Sequence, residues 1–575
     1  MSRPLITIQC GNYSNHVGSH FWNLQESGFV YSTDSQNTAR SASYPEDVLE
    51  VDNDILYREG LTLNKEVTYT PRLIAVDLKG SLGALPECGE LYGKISIPKE
   101  DTLSNYWTGG HQIFREEPFV RNEFLSELDD NSENILSEKD VDICTDKDDD
   151  PEAGPSNESK LYNLEGSVNF WSDYLGARYH PQSVLLCENF QHKNKLQPFD
   201  AWGLGREAWS DSSNFGDKME DRVRWYAEEC DNLGGFQVIS DYHDGFGGLS
   251  SSLMELLGDE YSHKALLSFP TAPAMFPAEL SSAAEAGARV AGAVLSLTRH
   301  LETSLVTPMS LSRDWWPLPG HVTQLPHLTY SPESDYSSSA VLALGLDTAS
   351  LQYRRRPGQL AAHDVAPGLV TNGRRVATIG LDMPMRMSQS PTEYFEGSLL
   401  SQVTPLAPGQ QGSVVTSQTQ TSFPALISVR GMKSSALFSK RSAQYKPCPD
   451  PVSYLESCVL NSFPACRPLG SFVTKPVMTG KPFPHIFDKT VNTFGEISPE
   501  ARPDNTGVTF TTALTSWSTG LAAQRSLQRL EERAAKLRLA KLHRLTETGL
   551  ESEEWDDSLE SLRRQIDNYH EEDNY

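Results

Sequence analysis

The sequence predicts an α/β fold with a doubly wound N-terminal domain, a central helix, an α+β second domain and C-terminal helices. Short, continuously apolar runs that end in turn-forming residues are typical of parallel strands covered on both faces. Stretches with apolar residues at helical spacing separate these runs. Because 575 residues exceed what one hydrophobic core usually holds, at least two packed units are expected.

The N-terminal residues predict a strand, a tight turn and a helix. Leu5 to Gln9 is an apolar run, and the small or turn-forming residues Cys10 to Asn15 follow it directly. Beyond this turn, apolar side chains recur on one helical face, at Val17, Phe21, Trp22 and Leu24. This order of elements is the usual opening of a βαβ sheet.

Three later runs predict further strands of the same sheet. They are Leu73 to Val76, which ends at Asp77, Val184 to Cys187, and Phe236 to Ser240. The last of them runs into the Gly-rich segment Asp241 to Gly248. Leucines at helical spacing follow, at Leu249, Leu253, Leu256 and Leu257. We therefore expect a helix that begins close to these glycines.

The second half predicts a different mixture of elements. An Ala-rich stretch from Glu279 to Leu301 predicts the long central helix. Strands are expected between Leu325 and Thr348, from Val376 to Gly380 and from Leu426 to Val429. Near the C-terminus, Leu521 to Leu545 predicts a helix. Its apolar stripe consists of Leu527, Leu530, Ala534, Leu537 and Leu545.

Two acidic segments hold most of the net charge of −28. Glu127 to Glu152 carries 12 acidic and 2 basic residues, and Glu547 to Tyr575 carries 11 and 2. The two segments together carry −19, which leaves −9 for the rest of the chain. Since residues 127–160 contain few large apolar side chains, we expect a disordered insertion there. Residues 387–422 are rich in Ser, Gln, Thr and Pro and predict a mobile loop.

These features divide the chain into five parts. An acidic insertion (127–160) separates the first part of the N-terminal domain (1–126) from its second part, which ends with the central helix (161–300). An α+β domain (301–500) follows. The C-terminal helices and an acidic tail occupy the last part (510–575).

The composition excludes several classes of function. A modestly acidic folded part offers no basic surface, so we expect no nucleic-acid partner. The eight cysteines form no CxxC pair and fit no zinc spacing, which indicates free thiols in a reducing compartment. The longest apolar stretch, Val290 to Leu297, is far shorter than the ~20 residues of a membrane span. No signal or transit peptide is visible, so we expect a cytoplasmic protein, attached to a membrane at most peripherally.

Loops at the strand ends predict an anion site. A helix N-terminus at a strand end presents backbone N–H groups and a positive dipole end to phosphate. Gly245, Gly247 and Gly248 would let a ligand approach the backbone closely. A structural turn explains the same glycines.

Four segments resemble tubulin in order and spacing. Ile8 to Trp22 follows the tubulin pattern I-Q-x-G-x-x-x-N-x-x-G-x-x-F-W, and Pro71 to Leu78 follows P-R-x-x-x-x-D-L. Asn105 to His111 is similar to N-N-W-A-K-G-H, and Cys230 to Gln237 matches C-D-x-L-x-G-F-Q. The resemblance implies a tubulin/FtsZ-like fold with a degenerate nucleotide site. The site residues it implies are Gly11, Asn12, Asn15, Asp77, Lys79, Gly245, Gly247 and Gly248.

The chain as a whole resembles the Misato family of tubulin-related eukaryotic proteins. Asp241 to Gly248 reads D-Y-H-D-G-F-G-G, and its Asp-x-His-Asp-Gly-Phe variant of the glycine loop separates that family from true tubulins. Leu325 to Leu328 and Pro482 to Phe487 agree with it. The resemblance implies a role in mitochondrial distribution, morphology and fusion. It also implies a location in the cytoplasm and at the mitochondrial outer membrane.

Departures from tubulin indicate a degraded phosphate site. Phe246 stands where tubulin has a threonine, and we expect its bulk to block a phosphate. Asp244 adds a negative charge that would repel a triphosphate. Tubulin's Gln-Cys-Gly becomes Asn12 to Ser14. Only Lys79, which replaces an acidic residue, could attract phosphate.

The hydrolytic loop of tubulin is also not visible. In tubulin this loop follows the central helix, carries an N-x-D core and serves the nucleotide of the next subunit. Between His300 and His327 the sequence contains no N-x-D, and residues 315–317 read Trp-Trp-Pro. Without an acidic group to orient water, we expect no catalytic residue and no enzymatic activity.

Three features allow a structural and a functional interpretation. His243 and Asp244 could form a catalytic pair or a metal site, but adjacent residues seldom converge on one ligand. Since no third ligand is evident, we expect no metal site. Asp77 could touch a ribose or magnesium, or cap a loop through an Asx turn. The basic helix from Leu521 to Leu545 packs on the body or contacts an anionic membrane.

These observations leave three hypotheses about function. The first is a non-enzymatic tubulin-like protein without a cofactor that acts through protein partners at the mitochondrial surface. The second is a switch that binds GTP. The third is a factor in tubulin biogenesis or the cytoskeleton, with tubulin or its chaperones as partners.

Overall fold

The structure is a computed structural model of the chain. It describes residues in every predicted domain. The described residues are 3–29, 50–61, 67–87, 119, 121–128, 162–211, 214–277, 282–316, 320–356, 360–385, 403–409, 425–431, 453, 457, 468–504 and 506–569.

Strands and helices are numbered in chain order. The strands are β1 (Leu5–Cys10), β2 (Tyr57–Leu61), β3 (Val67–Pro71), β4 (Leu73–Lys79), β5 (Val184–Gln191), β6 (Gly235–Asp241), β7 (Ala265–Thr271), β8 (Leu305–Val306), β9 (Thr378–Asp382), β10 (Thr404–Pro405), β11 (Ala425–Arg430), β12 (Pro468–Val473), β13 (Val477–Met478), β14 (Phe510–Thr511) and β15 (Ala513–Ser518). The helices are α1 (Asn12–Glu26), α2 (Trp202–Ser210), α3 (Phe215–Glu228), α4 (Gly245–Glu260), α5 (Ala283–Thr303), α6 (Asp335–Ala349), α7 (Leu351–Arg354), α8 (Ala362–Leu369), α9 (Leu521–Ala534), α10 (His543–Glu547) and α11 (Ser552–Asp567).

A six-stranded sheet is the centre of the N-terminal domain. Its strand order is β5-β4-β1-β6-β7-β8, and all neighbouring strands are parallel. β1, β6 and β7 are buried at every residue, as expected for strands covered on both faces. α1 packs on one face, and α2, α3 and α4 pack on the other. The predicted doubly wound domain is confirmed.

A five-stranded mixed sheet forms the second domain. Its order is β10-β9-β15-β11-β12, with only β11 and β12 parallel. The strands predicted at Val376 to Gly380 and Leu426 to Val429 correspond to β9 and β11. Two small antiparallel pairs, β2–β3 and β13–β14, complete the sheets among the described residues.

The helix between the two sheets is α6, and the prediction of strands between Leu325 and Thr348 is wrong. α6 begins after Ser334, whose hydroxyl accepts a hydrogen bond from the Ser337 backbone N–H (3.3 Å). Its residues from Tyr336 to Ala349 are all buried. A helix that is apolar on every side shows no amphipathic spacing, so its sequence also fits buried strands.

The helix predicted from Glu279 to Leu301 is α5, but its place in the fold differs from the prediction. It crosses from β7 to β8 within the first sheet and does not connect the domains. A capping box of Ser282 and Glu285 starts it. Since β8 at Leu305 and Val306 still pairs with β7, the first sheet continues beyond the predicted boundary at residue 300.

The C-terminal region also differs from the prediction. α9 ends at Ala534, and a turn with a short 3₁₀ helix separates it from α10, so no single helix reaches Leu545. The expected acidic tail contains α11. α11 buries Trp555, Leu559, Leu562 and Ile566 in one core cluster with α5 and α9. Most of its acidic side chains are exposed, and Glu554 pairs with Arg299 of α5 (2.9 Å).

Parts of several predicted segments lie outside the described residues. Of the acidic insertion, residues 129–160 do so, while Glu127 belongs to a short helix over residues 123–128. Of the predicted mobile loop, residues 403–409 are described. Their Val403, Leu406 and Ala407 are buried beside β9, so a mobile loop is the wrong interpretation for this part. Cys10, Cys187 and Cys230 are free thiols, and the other five cysteines lie outside the described residues. No helix among the described residues is long and apolar enough to cross a bilayer.

Candidate functional site

Three strand ends meet at one edge of the first sheet. Gly11 follows β1, Asp77 lies near the end of β4, and Asp241 is the last residue of β6. Because these strands are neighbours and parallel, all three residues lie at the carboxyl edge, where an anion site is predicted.

The carboxylate of Asp241 lies at the N-terminus of α1. Oδ2 accepts a hydrogen bond from the backbone N–H of Tyr13 (2.9 Å). Oδ1 accepts from the backbone N–H of Ser14 (2.8 Å) and from the Thr271 hydroxyl (3.2 Å). α1 has no side-chain cap of its own at Gly11. Asp241 therefore satisfies N–H groups that a helix N-terminus otherwise offers to a bound anion.

Three of the predicted site residues, Gly11, Asn12 and Asn15, lie in or directly before α1. Gly11 has φ of +122°, and a Cβ there would lie 2.4 Å from Asp241 Oδ2, so only glycine allows this approach. Asn12 is the first residue of α1, and its buried amide oxygen has no hydrogen-bond partner in the described part of the chain. Asn15 is buried and donates from Nδ2 to the Val76 carbonyl (3.0 Å).

Asp244 performs the same task at the N-terminus of α4. It is the N-cap residue, and its Oδ1 accepts a hydrogen bond from the Phe246 backbone N–H (2.9 Å). The two helix N-termini at this edge thus both bind a carboxylate of the chain itself. Sequence reasoning identified the charge of Asp244 but missed the roles of both aspartates as caps. An Asp directly before a glycine-rich helix start was the available signal for Asp244.

Asp77 is a buried hydrogen-bond acceptor that joins three elements. It accepts from Trp171 Nε1 (2.8 Å), from Asn15 Nδ2 (3.2 Å) and from the Leu78 backbone N–H (2.7 Å). These bonds connect β4 to α1 and to the 3₁₀ turn at Trp171. The geometry accounts for Asp77 as a structural centre, while contact with a ribose or magnesium stays a prediction.

All three carboxyl groups have raised pKa values, and Asp77 adds to the rise at Asp241 and at Asp244. Burial raises the pKa of Asp77 to about 6 and that of Asp244 to about 7. Burial, followed by repulsion from Asp244, raises the pKa of Asp241 well above its usual range. A polyphosphate at this edge would add further negative charge to a region of low dielectric that already holds three acidic groups.

The three glycines of α4 allow close packing of helices. A Cβ on Gly245 would lie 2.6 Å from the Phe199 ring, and one on Gly248 would lie 1.9 Å from the Trp202 carbonyl oxygen. A Cβ on Gly247 would lie 2.4 Å from the hydroxyl of Ser296 in α5. Close packing against neighbouring segments therefore explains all three glycines, and nucleotide binding by them stays a prediction.

The ring of Phe246 points into the core and not toward the predicted phosphate site. Its ring is 3% exposed and packs in the core edge-on against Phe199, with ring centroids 5.1 Å apart. The expectation that its bulk blocks a phosphate is therefore wrong. At this edge it is the acidic caps that occupy the helix N-termini.

Lys79 is the exposed last residue of β4. Its ammonium contributes, after Lys218, to a lowered pKa of Glu188 on β5. Another cation near the edge is Arg289, whose guanidinium lies 4.1 Å from the centroid of the Phe276 ring and offsets part of the charge of Asp244. An attraction of phosphate by Lys79 stays a prediction.

The structure brings a third group to the pair of His243 and Asp244. Asp241, His243 and Asp244 each offer one ligand atom, and these atoms lie within 4.8 Å of one another. This convergence was not predicted, because it depends on how the backbone turns after β6.

The segment that corresponds to tubulin's hydrolytic loop follows α6 and not α5. Because α6 lies between the sheets, the segment that follows it begins at Ser350, and the stretch from His300 to His327 precedes it. No N-x-D occurs from Ser350 to Leu369 either. The segment instead carries Arg354, Arg355 and Arg356. The tubulin-like segment Asn105 to His111 lies outside the described residues.

Comparisons with known proteins agree with this architecture. Residues 3–130 match the family model described as Misato Segment II tubulin-like domain, and residues 163–355 match the one described as Tubulin domain. Protein misato homolog 1 of Danio rerio is 31% identical over 585 residues, which cover 98% of this chain and 96% of that protein. Protein misato of Drosophila melanogaster is 32% identical over 586 residues, which cover 98% and 97%. The tubulin-like α/β fold is confirmed, and the chain belongs to the Misato family of tubulin-related proteins.

Proposed function

We propose that this chain is a non-enzymatic tubulin-like protein that regulates mitochondrial distribution, morphology and fusion through protein partners, with no nucleotide as cofactor. Membership of the Misato family supports the tubulin-like part. The mitochondrial part rests on what the resemblance to that family implies. The absence of a nucleotide rests on the geometry of the carboxyl edge.

The observation that carries the proposal is the pair of internal caps. Asp241 accepts hydrogen bonds from Tyr13 and Ser14 at the start of α1, and Asp244 accepts one from Phe246 at the start of α4. A triphosphate would have to displace these carboxylates from the N–H groups it needs. It would then lie beside the same negative charges, at a repulsion of several kcal/mol at ~4 Å and an effective dielectric near ~20.

The proposal that the chain is no enzyme rests on the segment after α6. Hydrolysis needs a group that orients and deprotonates water. The sequence from Ser350 to Leu369 has no N-x-D and offers Arg354 to Arg356 and His363 beside the single acidic residue Asp364. Basic residues at this position do not supply the missing base.

A measurement of bound nucleotide tests the proposal directly. The full chain is purified gently and denatured, and released nucleotides are separated by chromatography; GTP is then titrated in the presence of magnesium. We expect no nucleotide and no saturable binding at millimolar GTP. Near-stoichiometric GTP or GDP would overturn the proposal of a nucleotide-free protein.

The GTP-binding switch is the second candidate, because one observation favours it. With a pKa of about 7, Asp244 is partly protonated at neutral pH, and that reduces its repulsion of a phosphate. If GTP binds, Lys79→Ala is the informative variant, since Lys79 is exposed and its removal leaves the core intact. A Gly245→Val variant would not separate binding from folding, because its side chain would overlap the Phe199 ring.

Peripheral contact with the outer membrane is proposed for the basic turn between α9 and α10. Lys536, Arg538 and Lys541 are exposed there. Other basic residues of this region pair within the protein: Arg533 pairs with Asp314, and Arg544 with Asp200. An exposed basic cluster is attracted to anionic lipid headgroups, at ~1 kcal/mol for each basic residue.

Depletion and rescue in cells test the mitochondrial role. Loss of the protein should change the shape and distribution of the mitochondrial network, and the wild-type chain should restore both. A variant with Lys536, Arg538 and Lys541 changed to serine should fold normally and leave the membrane fraction. A charge-matched control changes the exposed residues Lys193, Lys195 and Lys489 to serine and should remain bound. A normal mitochondrial network after depletion would contradict the proposed role.

Tubulin biogenesis is the remaining alternative, and a pull-down separates it from the first proposal. The match of residues 163–355 to the family model described as Tubulin domain supports it. Recovery of tubulin or chaperonin subunits with the full chain would favour this function. A pull-down free of both would argue strongly against it.

A further inference from the structure

The turn after β6 gathers three side chains that can bind a metal ion. Asp241, His243 and Asp244 each offer one ligand atom, all within 4.8 Å of one another. We propose that this turn binds one divalent transition-metal ion of the Zn²⁺ type through these three residues, without a nucleotide. The inference does not depend on the proposed function.

His243 supplies the observation that points to a ligand. Its side chain is 11% exposed, and Nδ1 is buried and has no hydrogen-bond partner among the described residues. A buried ring nitrogen without a partner costs roughly 1–3 kcal/mol, unless it binds something else. The ring is supported by Phe276, which lies edge-on with centroids 5.0 Å apart. The imidazole is therefore held in place beside the two carboxylates, with Nε2 on the side of Asp244.

Both carboxylates keep coordination capacity while they cap their helices. Asp244 accepts the Phe246 N–H at Oδ1, and its Oδ2 lies 3.7 Å from His243 Nε2. Asp241 uses one lone pair of Oδ2 for Tyr13, and a carboxylate oxygen has two. Metal binding therefore needs no loss of either cap.

The charge of this turn also favours a cation. The buried carboxylate of Asp241 and the partly buried carboxylate of Asp244 lie beside a neutral imidazole, and the nearby Arg289 offsets only part of their charge, through Asp244. Buried charges are usually paired or coordinate a metal. A divalent ion would neutralise the carboxylates that Arg289 leaves uncompensated.

The donor set selects the class of metal. Two carboxylate oxygens and one imidazole nitrogen match Zn²⁺, which takes such ligands at ~2.0–2.2 Å with a water in the fourth position. Ca²⁺ needs about six to eight oxygen ligands and fits poorly. Ligand atoms around a tetrahedral Zn²⁺ lie ~3.3 Å apart, so the ligand atoms close in by up to ~1.5 Å on binding.

Metal titration of the full chain tests the site. The protein is stripped with a chelator and titrated with Zn²⁺, and bound metal is counted after gel filtration. Titration with Co²⁺ reports the ligands, because cysteine ligation adds a near-ultraviolet charge-transfer band and an oxygen–nitrogen site does not. We expect one ion that gives visible Co²⁺ bands without the thiolate band. This ion should raise the unfolding temperature.

Two variants make the assignment specific. Asp244→Asn keeps the N-cap hydrogen bond, since Asn caps as well as Asp, but it removes a charged ligand. His243→Gln removes the imidazole. Each should weaken binding of the ion at least tenfold, whereas Asp335→Asn, a change in the first turn of α6, should bind as the wild type does. No bound ion in the wild type, or unchanged Zn²⁺ binding in both variants, would overturn the proposal.

Discussion

Gly11 shows the strain that one added methyl group would cause at the carboxyl edge. Its φ is +122°, and a Cβ would lie 2.4 Å from Asp241 Oδ2. Gly11→Ala therefore combines a disfavoured backbone conformation with displacement of the carboxylate that caps α1. We expect the free energy of unfolding to fall by about 3 kcal/mol, as measured by urea denaturation.

Gly80→Ala is the matched control for this change. Gly80 also has positive φ, +82°, but a Cβ there would meet nothing within 4 Å. Only the backbone cost remains, about 1 kcal/mol. Equal losses in the two variants would show that the contact between Gly11 and Asp241 does not constrain the site.

His300 makes stability depend on pH. Its ring is buried between the hydroxyls of Ser268 (2.8 Å to Nδ1) and Ser250 (3.1 Å to Nε2), and burial lowers its pKa to about 3. Below pH ~6.5 the unfolded chain binds a proton that the folded chain does not, so stability falls as pH decreases from 6.5 toward 3. From pH 7 to 5 this histidine should remove about 2 kcal/mol.

The variant His300→Gln separates this effect from other titrating groups. Asp77 and Asp244 act in the opposite direction, because their raised pKa values favour the folded state as pH falls from above about 6 and about 7, respectively. On a change from pH 7 to pH 5, the wild type should therefore lose about 2 kcal/mol more unfolding free energy than the variant does. Parallel pH profiles of the two proteins would contradict the assignment.

The site was only partly predictable at the level of single residues. Gly11, Asp77 and Asp244 could be placed at one edge, because each follows or ends an apolar run that predicts a parallel strand. The bond from Tyr13 to Asp241 joins residues 228 positions apart, and nothing local in the sequence records it. The core position of Phe246 has the same cause, since its partner Phe199 lies in a segment with no strong pattern.

Helices with one apolar face and short apolar strands that end in turns could be predicted from the sequence. β1, β4 and β6 are apolar runs that end in turns, and α4 has leucines on one face. α6 was missed because it is buried on all sides and lacks a polar face. The end of α9 was missed because leucines continue at helical spacing to Leu545, which is buried in α10.

α11 should contribute to stability as a packed helix. Leu562 is fully buried against the cluster formed with α5 and α9. Leu562→Ala should lower the free energy of unfolding by about 2–5 kcal/mol through lost burial and a cavity. Leu196→Ala, at a side chain that is 93% exposed, should change it by less than ~0.5 kcal/mol. If residues 547–575 were a solvated acidic tail, both variants would unfold as the wild type does.

The whole molecule is held together by a core that both sheets share. One cluster of buried residues includes Leu5 of β1, Tyr13 of α1, Val341 of α6 and Trp517 of β15. The sequence predicted two packed units but not this continuity, because α6 was not recognised as the element between them. A shared core implies that the two domains unfold together.

A buried ion network anchors α6 to the second sheet and gives the last prediction. Asp347 Oδ1 accepts from Arg354 Nη2 (2.7 Å), Oδ2 pairs with Arg430 of β11, and the three side chains are 0%, 4% and 6% exposed. Asp347→Asn would remove the carboxylate that both buried guanidinium groups contact, so we expect a loss of about 3–5 kcal/mol.

Hydrogen exchange in increasing denaturant can then follow the two sheets separately. Peptides from β1 and β11 should lose protection together in the wild type, and in Asp347→Asn both should do so at the same lower denaturant concentration. Asp200→Asn, which breaks the half-exposed pair with Arg544, should shift unfolding by less than ~1 kcal/mol. If β11 lost protection well before β1, the core around α6 would not couple the domains, and the second sheet could rearrange on a partner without unfolding the first.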